Sequence, residues 1–211
     1  MRKAYSPKDI AAKKWVTLPW GERWSQPFGF PAENASWFIS GASAQGKSSF
    51  VMQLAKELCK YGLTLYLSYE EGVSQSFQRR MGYLGMNEVQ GRFRVATDDT
   101  YEELVARLKK PKSPKFVIVD SFQLSYWTYE QCETLIRKLF PRKCFIFISQ
   151  ETKGQPMGKP AVKLRYLADM KVRVMGYKAY CLGRSIGEAG SYYVVWEEGI
   201  IQTSINLRTN L

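Results

Sequence analysis

Residues 41–48 have the types and spacing of a loop that binds phosphate groups. They read Gly41-Ala42-Ser43-Ala44-Gln45-Gly46-Lys47-Ser48. Successive backbone N–H groups in such a loop surround a β-phosphate, and the N-terminus of the following helix adds its positive end. The Lys47 ammonium would reach the β- and γ-phosphate oxygens, and the Ser48 hydroxyl would hold Mg²⁺. We therefore expect this loop, together with Ser49 directly after it, to bind ATP and Mg²⁺.

Carboxylates follow two apolar segments, which predicts a second chemical group near the same phosphates. Asp120 ends the apolar run 116–119 and would orient the metal's water shell, unless it only caps the segment that follows. Glu70 and Glu71 follow the run 63–68, and ligands of open α/β sheets lie at the carboxyl ends of strands. We assign the residue that polarises the attacking water to Glu70, with Glu71 and a simple solvated helix start as alternatives.

Short apolar, β-rich runs alternate with helical patterns over most of the chain. The runs at 37–39, 63–68, 116–119 and 145–148 predict buried parallel strands. A helical pattern covers 47–61, and capping boxes open further helices at Thr100 and Thr128. We therefore expect an α/β fold with a mainly parallel central sheet flanked by helices.

The two ends of the chain have a different pattern. Residues 171–175, 178–182 and 191–196 are short apolar runs divided by glycine-containing turns, which predicts an antiparallel extension of the sheet. Residues 1–35 carry tryptophans among Pro and Gly and are expected to form an arm that packs on the core or on a neighbour. Residues 36–199 would then form the core, and 200–211 a final strand or a loose tail.

Composition restricts the chemistry and the surroundings of the protein. The chain has 211 residues, 45% of them apolar, which suits one domain with a packed core. It contains no histidine, and its four cysteines lack a CxxC spacing, so we expect reduced core thiols and neither a zinc site nor a histidine base. The first residues are basic but no apolar segment follows, and no run is long enough for a membrane helix, so we expect a cytoplasmic protein without membrane contact.

The ordered motifs resemble one known family. GASAQGKSS, LYLSYEEG, VIVDSFQ, IFISQETKG and the late strand pair around CLGRSIG follow one another as they do in RecA-like P-loop ATPase cores. The pattern is most similar to the branch of RadA/Sms recombination proteins and DnaB-type helicases, over residues 29–199. The resemblance implies a RecA-like fold, ATP bound between subunits, and a homo-oligomer in the form of a hexameric ring or a filament.

The resemblance also implies roles for single residues. Glu70 would be the catalytic base, Asp120-Ser121 the Walker B pair, and Gln150 the sensor of the γ-phosphate, although Gln150 alone is equally a polar strand end. The family carries a Lys-x-Arg finger that reaches the neighbouring subunit's nucleotide. Here Arg184 keeps the arginine while Leu182 stands where the lysine would be. Arg184 would act as the finger or simply decorate a hairpin turn.

The net charge of +12 and the pI near 9.5 favour a polyanionic partner. Basic residues are concentrated from residue 150 onward: Lys153, Lys159, Lys163, Arg165, Lys171, Arg173, Lys178 and Arg184. The first four follow Gln150 in a segment expected to begin as a loop, and such residues would contact the backbone of DNA. Lys171 and Arg173 are equally the solvent face of a strand.

A second segment, Ser121 to Thr128, holds aromatic residues at the other family position for a DNA loop. Phe122, Tyr126 and Trp127 would stack on bases or serve as core or subunit contacts. Taken together, the sequence predicts a DNA-stimulated ATPase acting on single-stranded DNA, with a targeting partner protein as a further expectation. The alternatives are a nucleotide-gated loader with weak hydrolysis and a small-substrate P-loop phosphotransferase. The sequence does not separate DNA from RNA.

Overall fold

The structure, a computed structural model, describes residues 4–183 and 187–209. The strands are β1 Trp37–Gly41, β2 Thr64–Ser68, β3 Phe93–Ala96, β4 Phe116–Asp120, β5 Cys144–Thr152, β6 Gln155–Pro156, β7 Met170–Met175, β8 Lys178–Gly183 and β9 Tyr193–Val194. The helices are α1 Pro7–Ala11, α2 Glu22–Phe28, α3 Lys47–Leu58, α4 Gln75–Tyr83, α5 Tyr101–Lys109, α6 Phe122–Ser125, α7 Tyr129–Thr134, α8 Lys159–Leu167 and α9 Glu197–Thr209. A 3₁₀ turn, Met86–Val89, precedes β3, and a π-helical turn, Leu135–Leu139, directly continues α7.

The strands form one twisted sheet in the order β3-β2-β4-β5-β1-β7-β8-β9. All pairings from β3 to β7 are parallel, whereas β8 and β9 are antiparallel to their neighbours. The predicted parallel sheet with an antiparallel C-terminal extension is therefore present. The carboxyl ends of β1, β2, β4 and β5 lie along one edge, and the residues with candidate chemistry follow these ends.

Two elements differ from the sequence analysis. The edge strand β3 was not predicted, because only its first residue, Phe93, is buried and four residues give too little alternation to read. Residues 197–209 form helix α9, so the expectation of a strand or tail there is wrong. Glu197 and Glu198 stand in the first turn of α9, where negative charge is favourable for a helix.

A hydrophobic core fills both faces of the sheet. The N-terminal arm extends one of them, because Trp20, Trp24 and Phe28 are buried in contact with Trp37 and Tyr193. The Trp20 indole N–H donates to the Gly29 carbonyl at 2.6 Å, which satisfies its polar atom inside the core. These aromatic residues are therefore packing anchors.

The four cysteines are free thiols, three of them buried, as expected. The capping boxes predicted at Thr100 and Thr128 are both formed. Across 4–183 and 187–209, no helix combines the length and the apolar character that a bilayer crossing requires.

Candidate functional site

The loop between β1 and α3 has the strand–loop–helix setting of a phosphate-binding loop. A methyl group at Gly41 would collide with the backbone carbonyl of Val174. Gly46 adopts φ +93°, and a Cβ there would lie 2.9 Å from the ring of Tyr177. Both glycines are thus required by close contact, and at Gly46 by the backbone conformation as well. The turn after β7 holds the loop from outside, since the Gly176 N–H donates to Gln45 Oε1 at 2.7 Å.

Lys47 lies at the centre of a group of charged residues. Its Nζ donates to the Ala42 carbonyl at 2.7 Å, within the loop itself. Burial lowers the pKa of the Lys47 ammonium below its usual value, while the carboxylates of Glu70, Asp120 and Glu151 act in the opposite direction. Three carboxylates from three strand ends therefore direct their charge at the lysine that is expected to meet a triphosphate.

Asp120 is buried at the end of β4, and the Tyr66 hydroxyl donates a hydrogen bond to its carboxylate. Burial raises the pKa of Asp120 to about 6, although the Tyr66 hydrogen bond opposes the rise. One carboxylate and the hydroxyl of Ser48 form an oxygen donor set suited to Mg²⁺, which is usually bound by one or two carboxylates plus substrate phosphates and water. Within the part of the chain that the structure describes, no group of three or more His, Cys, Asp or Glu side chains could enclose a metal. This agrees with a cation held jointly with a nucleotide.

Glu70 and Glu71 have different surroundings, although they are neighbours in sequence. Glu71 forms an ion pair with Arg80 at 2.6 Å and accepts a hydrogen bond from the Ser76 hydroxyl, so it fixes the start of α4. Glu70 is exposed, and its Oε1 accepts a 3.0 Å hydrogen bond from the side-chain amide of Gln150. The structure therefore brings Glu70 and Gln150 together and gives Glu71 a structural role.

Glu151 is a site residue that the sequence analysis missed. Its side chain is only 3% exposed, and its carboxylate accepts hydrogen bonds from Ser40 Oγ at 2.8 Å and Arg173 Nε at 3.0 Å. Arg173 is therefore committed to an ion pair and is more than the solvent face of a strand. The available signal was the acid directly after Gln150, a polar strand end that was already assigned to the site.

The basic segment after Gln150 is more ordered than the expected loop. Glu151 and Thr152 pair with β6 in a tight hairpin that has Lys153 at its turn. Lys159, Lys163 and Arg165 lie on α8, which the sequence analysis did not predict. Lys153, Lys159 and Lys163 are exposed and Arg165 is half-buried, so the three lysines are open to a ligand.

The aromatic segment after β4 divides into buried and exposed residues. Phe122 and Trp127 belong to the core, whereas Tyr126 is 86% exposed. An open cleft of about 540 Å³ lies between Tyr126, Met157 and the start of α8, and Lys159 and Lys163 line it. Of the three aromatic residues expected to stack on bases or to pack, only Tyr126 is available for stacking.

The arginine finger is outside the described residues. Arg184 directly follows the last described residue of β8, so the structure gives it no contacts. Leu182, which replaces the finger lysine, is described and is 40% exposed.

The chain is similar in fold to two solved structures. The crystal structure of the flagellar accessory protein FlaH from Methanocaldococcus jannaschii matches with a TM-score of 0.61 and 14% identity, covering 85% of this chain and 93% of that chain. The ATPase domain of a DnaB-like helicase matches with a TM-score of 0.53 and 15% identity, covering 76% of this chain and 79% of that chain. No family model and no curated protein match the sequence. The two structures show a RecA-like P-loop NTPase fold, which confirms the fold class predicted from the sequence.

Proposed function

We propose that this protein is an ATP-hydrolysing motor that acts on single-stranded DNA, with ATP bound between the subunits of a homo-oligomer. Residues 41–49 bind the triphosphate, Ser48 and Asp120 hold Mg²⁺, and Glu70 and Gln150 face the γ-phosphate. Arg184 of a neighbouring subunit completes the site. The RecA-like fold and the ATPase domain among the structural neighbours support nucleotide hydrolysis as the reaction class.

The observation that carries the proposal is the hydrogen bond between Gln150 and Glu70. It holds an exposed carboxylate at the strand edge that also carries the phosphate loop, while the neighbouring Glu71 is occupied by Arg80. A general base must be accessible to the water that it activates. Only Glu70 of the two adjacent acids satisfies this requirement.

The reaction follows from the positions of these groups. Lys47 turns from the Ala42 carbonyl to the β- and γ-phosphate oxygens, where its charge offsets the charge that develops during transfer. Glu70 orients a water molecule for in-line attack on the γ-phosphorus and takes its proton. The oxygen bridging to the β-phosphate leaves with ADP. Bound Mg²⁺ supplies further charge neutralisation of the phosphates.

Nucleic acid would contact the surface formed by the hairpin and α8. Lys153, Lys159 and Lys163 are exposed on consecutive elements, and phosphate contacts from such lysines are independent of base sequence. Tyr126 offers one exposed ring beside two of them, which suits an unpaired base better than a base inside a duplex.

A second candidate function is a nucleotide-gated loader that turns over slowly. The replacement of the finger lysine by Leu182 favours it, because an apolar side chain cannot stabilise phosphate charge from a neighbouring subunit. Tight ATP binding with nucleotide-dependent oligomers and negligible turnover would distinguish it from the motor.

Steady-state ATP hydrolysis with and without a thymidine oligonucleotide, over a range of protein and salt concentrations, tests the proposal. We expect a rate that rises more than linearly with protein concentration and that increases with the oligonucleotide at low salt. A rate strictly proportional to protein and unaffected by the oligonucleotide would overturn the proposal. Transfer of phosphate to a small molecule would indicate a phosphotransferase instead.

A further inference from the structure

The basic hairpin is a direct continuation of the strand that borders the phosphate loop. β5 pairs with β1 as far as Gln150, which lies opposite Gly41, and then turns back on itself as β6. Lys153 and Gly154 form the turn, with φ angles of +52° and +75°. Two consecutive left-handed residues are typical of a tight two-residue hairpin. Lys153 is therefore separated from the phosphate loop by a short, hydrogen-bonded ladder.

Glu151 joins this hairpin to the phosphate loop through its side chain. One carboxylate oxygen accepts from the hydroxyl of Ser40, which directly precedes Gly41. The other accepts from Arg173, and the Arg173 guanidinium lies 3.4 Å from the position that a Cβ at Gly154 would occupy. A single buried carboxylate thus contacts both the entrance of the phosphate loop and the arginine that supports the hairpin turn.

The electrostatics of the two ends are also linked. Glu151 acts on the charge of Lys47 within the loop. Its ion-pair partner Arg173 is 38% exposed and stands beside the turn that carries Lys153, so a backbone phosphate arriving there meets both cations. Removing the partner of a buried carboxylate is costly, and the uncompensated charge then acts on its remaining neighbours.

We propose that Glu151 is a positioning residue that couples nucleic-acid binding at the hairpin to nucleotide binding at the phosphate loop. The element with two states is the Arg173 guanidinium, which pairs either with Glu151 or with a phosphate of the nucleic acid. In the second state the Glu151 charge acts on Lys47 and on Ser40, and the affinity for the triphosphate changes. The inference rests on the proposed function, since it requires both ligands.

The coupling is measured as a ratio of affinities. The dissociation constant of a fluorescein-labelled thymidine oligonucleotide is determined by anisotropy, with and without a saturating non-hydrolysable ATP analogue and Mg²⁺. We expect the two constants of the unmodified protein to differ by at least about fivefold, in the range typical of coupled sites. In Glu151→Gln, which keeps the size and the contact with Ser40 but removes the charge, the ratio falls below about twofold. Both ligands still bind separately.

Two further variants make the result specific. Arg173→Gln removes the other member of the pair and is expected to abolish the same coupling, with no additional loss in the double variant. Glu33→Gln neutralises a comparable ion pair with Lys115, formed at 2.5 Å outside the site, and is expected to retain the full ratio. Thermal unfolding of each variant reports whether it remains folded.

The failure of this inference differs from the failure of the proposed function. A ratio near one in the unmodified protein, or a ratio retained in both Glu151→Gln and Arg173→Gln, overturns the role of Glu151 while leaving an ATPase that binds DNA. An unmodified protein that binds neither the analogue nor the oligonucleotide overturns both.

Discussion

The side-chain amide of Gln150 donates a 3.0 Å hydrogen bond to the carboxylate of Glu70 and joins the ends of two strands that are not adjacent in the sheet. β4 lies between those strands, and its own end carries the buried Asp120. Polar groups from three neighbouring strand ends therefore face the phosphate loop together. The arrangement separates a group that activates water from a group that holds a metal, since Glu70 is exposed and Asp120 is buried.

Glu70→Gln is expected to reduce kcat for ATP hydrolysis by about 10²- to 10⁴-fold, which is the usual contribution of a general base. Affinity for ATP should change little, because the phosphate loop is untouched and the glutamine keeps its contact with Gln150. The matched control is Glu71→Gln, which removes the neighbouring charge and is expected to keep kcat within about threefold. Equal losses in both variants would show that the two acids are not distinguished in the way the structure indicates.

Lys47→Ala is expected to weaken ATP binding by at least about tenfold, because truncating a buried cation that faces a phosphate costs several kcal/mol. Lys56→Ala is the control, since Lys56 stands on the same helix and pairs with Glu88 at 3.0 Å. Isothermal titration with ATP and Mg²⁺ measures both variants. Unchanged affinity in Lys47→Ala would place the triphosphate elsewhere.

The ion pair between Glu71 and Arg80 makes stability dependent on acid. Burial acts to raise the pKa of Glu71, but hydrogen bonds from Arg80 and Ser76 outweigh it, so the pKa lies below its usual value. A carboxyl group whose pKa is lowered by folding stabilises the folded state above its ordinary pKa of about 4.3, and this stabilisation is lost as pH falls through the lower folded value.

Glu71→Gln should therefore lower the free energy of unfolding at pH 7 by about 1 kcal/mol, a value that allows for the partial exposure of the pair. The difference from the unmodified protein should shrink between about pH 5 and pH 3, where the carboxylate becomes protonated in both states. Urea unfolding at several pH values checks this. A difference that is constant with pH would mean that the ion pair does not contribute.

The sequence allowed the phosphate loop and its partners to be predicted because each follows a buried strand. Asp120 and Gln150 end long apolar runs, and parallel strands place such ends at one edge. The buried pair of Glu151 and Arg173 could not be predicted in the same way, since it joins residues 22 positions apart on strands separated by β1. Helix α8 was missed because Pro160 and two nearby glycines favour a loop, although Pro is well tolerated in the first turn of a helix.

The exposed lysines of the hairpin and α8 are expected to determine the salt dependence of nucleic-acid binding. Each phosphate contact to a single strand contributes about −0.7 to the slope of log K against log salt concentration. Lys153→Ala and Lys159→Ala should each make the slope shallower by about that amount and weaken binding similarly for all base sequences. Lys109→Ala removes the same charge at the end of α5 and should leave the slope unchanged.

Tyr126→Ala separates phosphate contact from base contact on the same surface. Loss of a stacked base costs about 1–3 kcal/mol without changing the number of neutralised phosphates. We therefore expect weaker binding of a single-stranded oligonucleotide with an unchanged salt slope, and little effect on a duplex, whose bases are not free to leave their stack. Anisotropy titrations of both probes at several salt concentrations check this. An equal loss for the single strand and the duplex would mean that Tyr126 contacts the backbone, and the cleft beside α8 would then recognise charge alone.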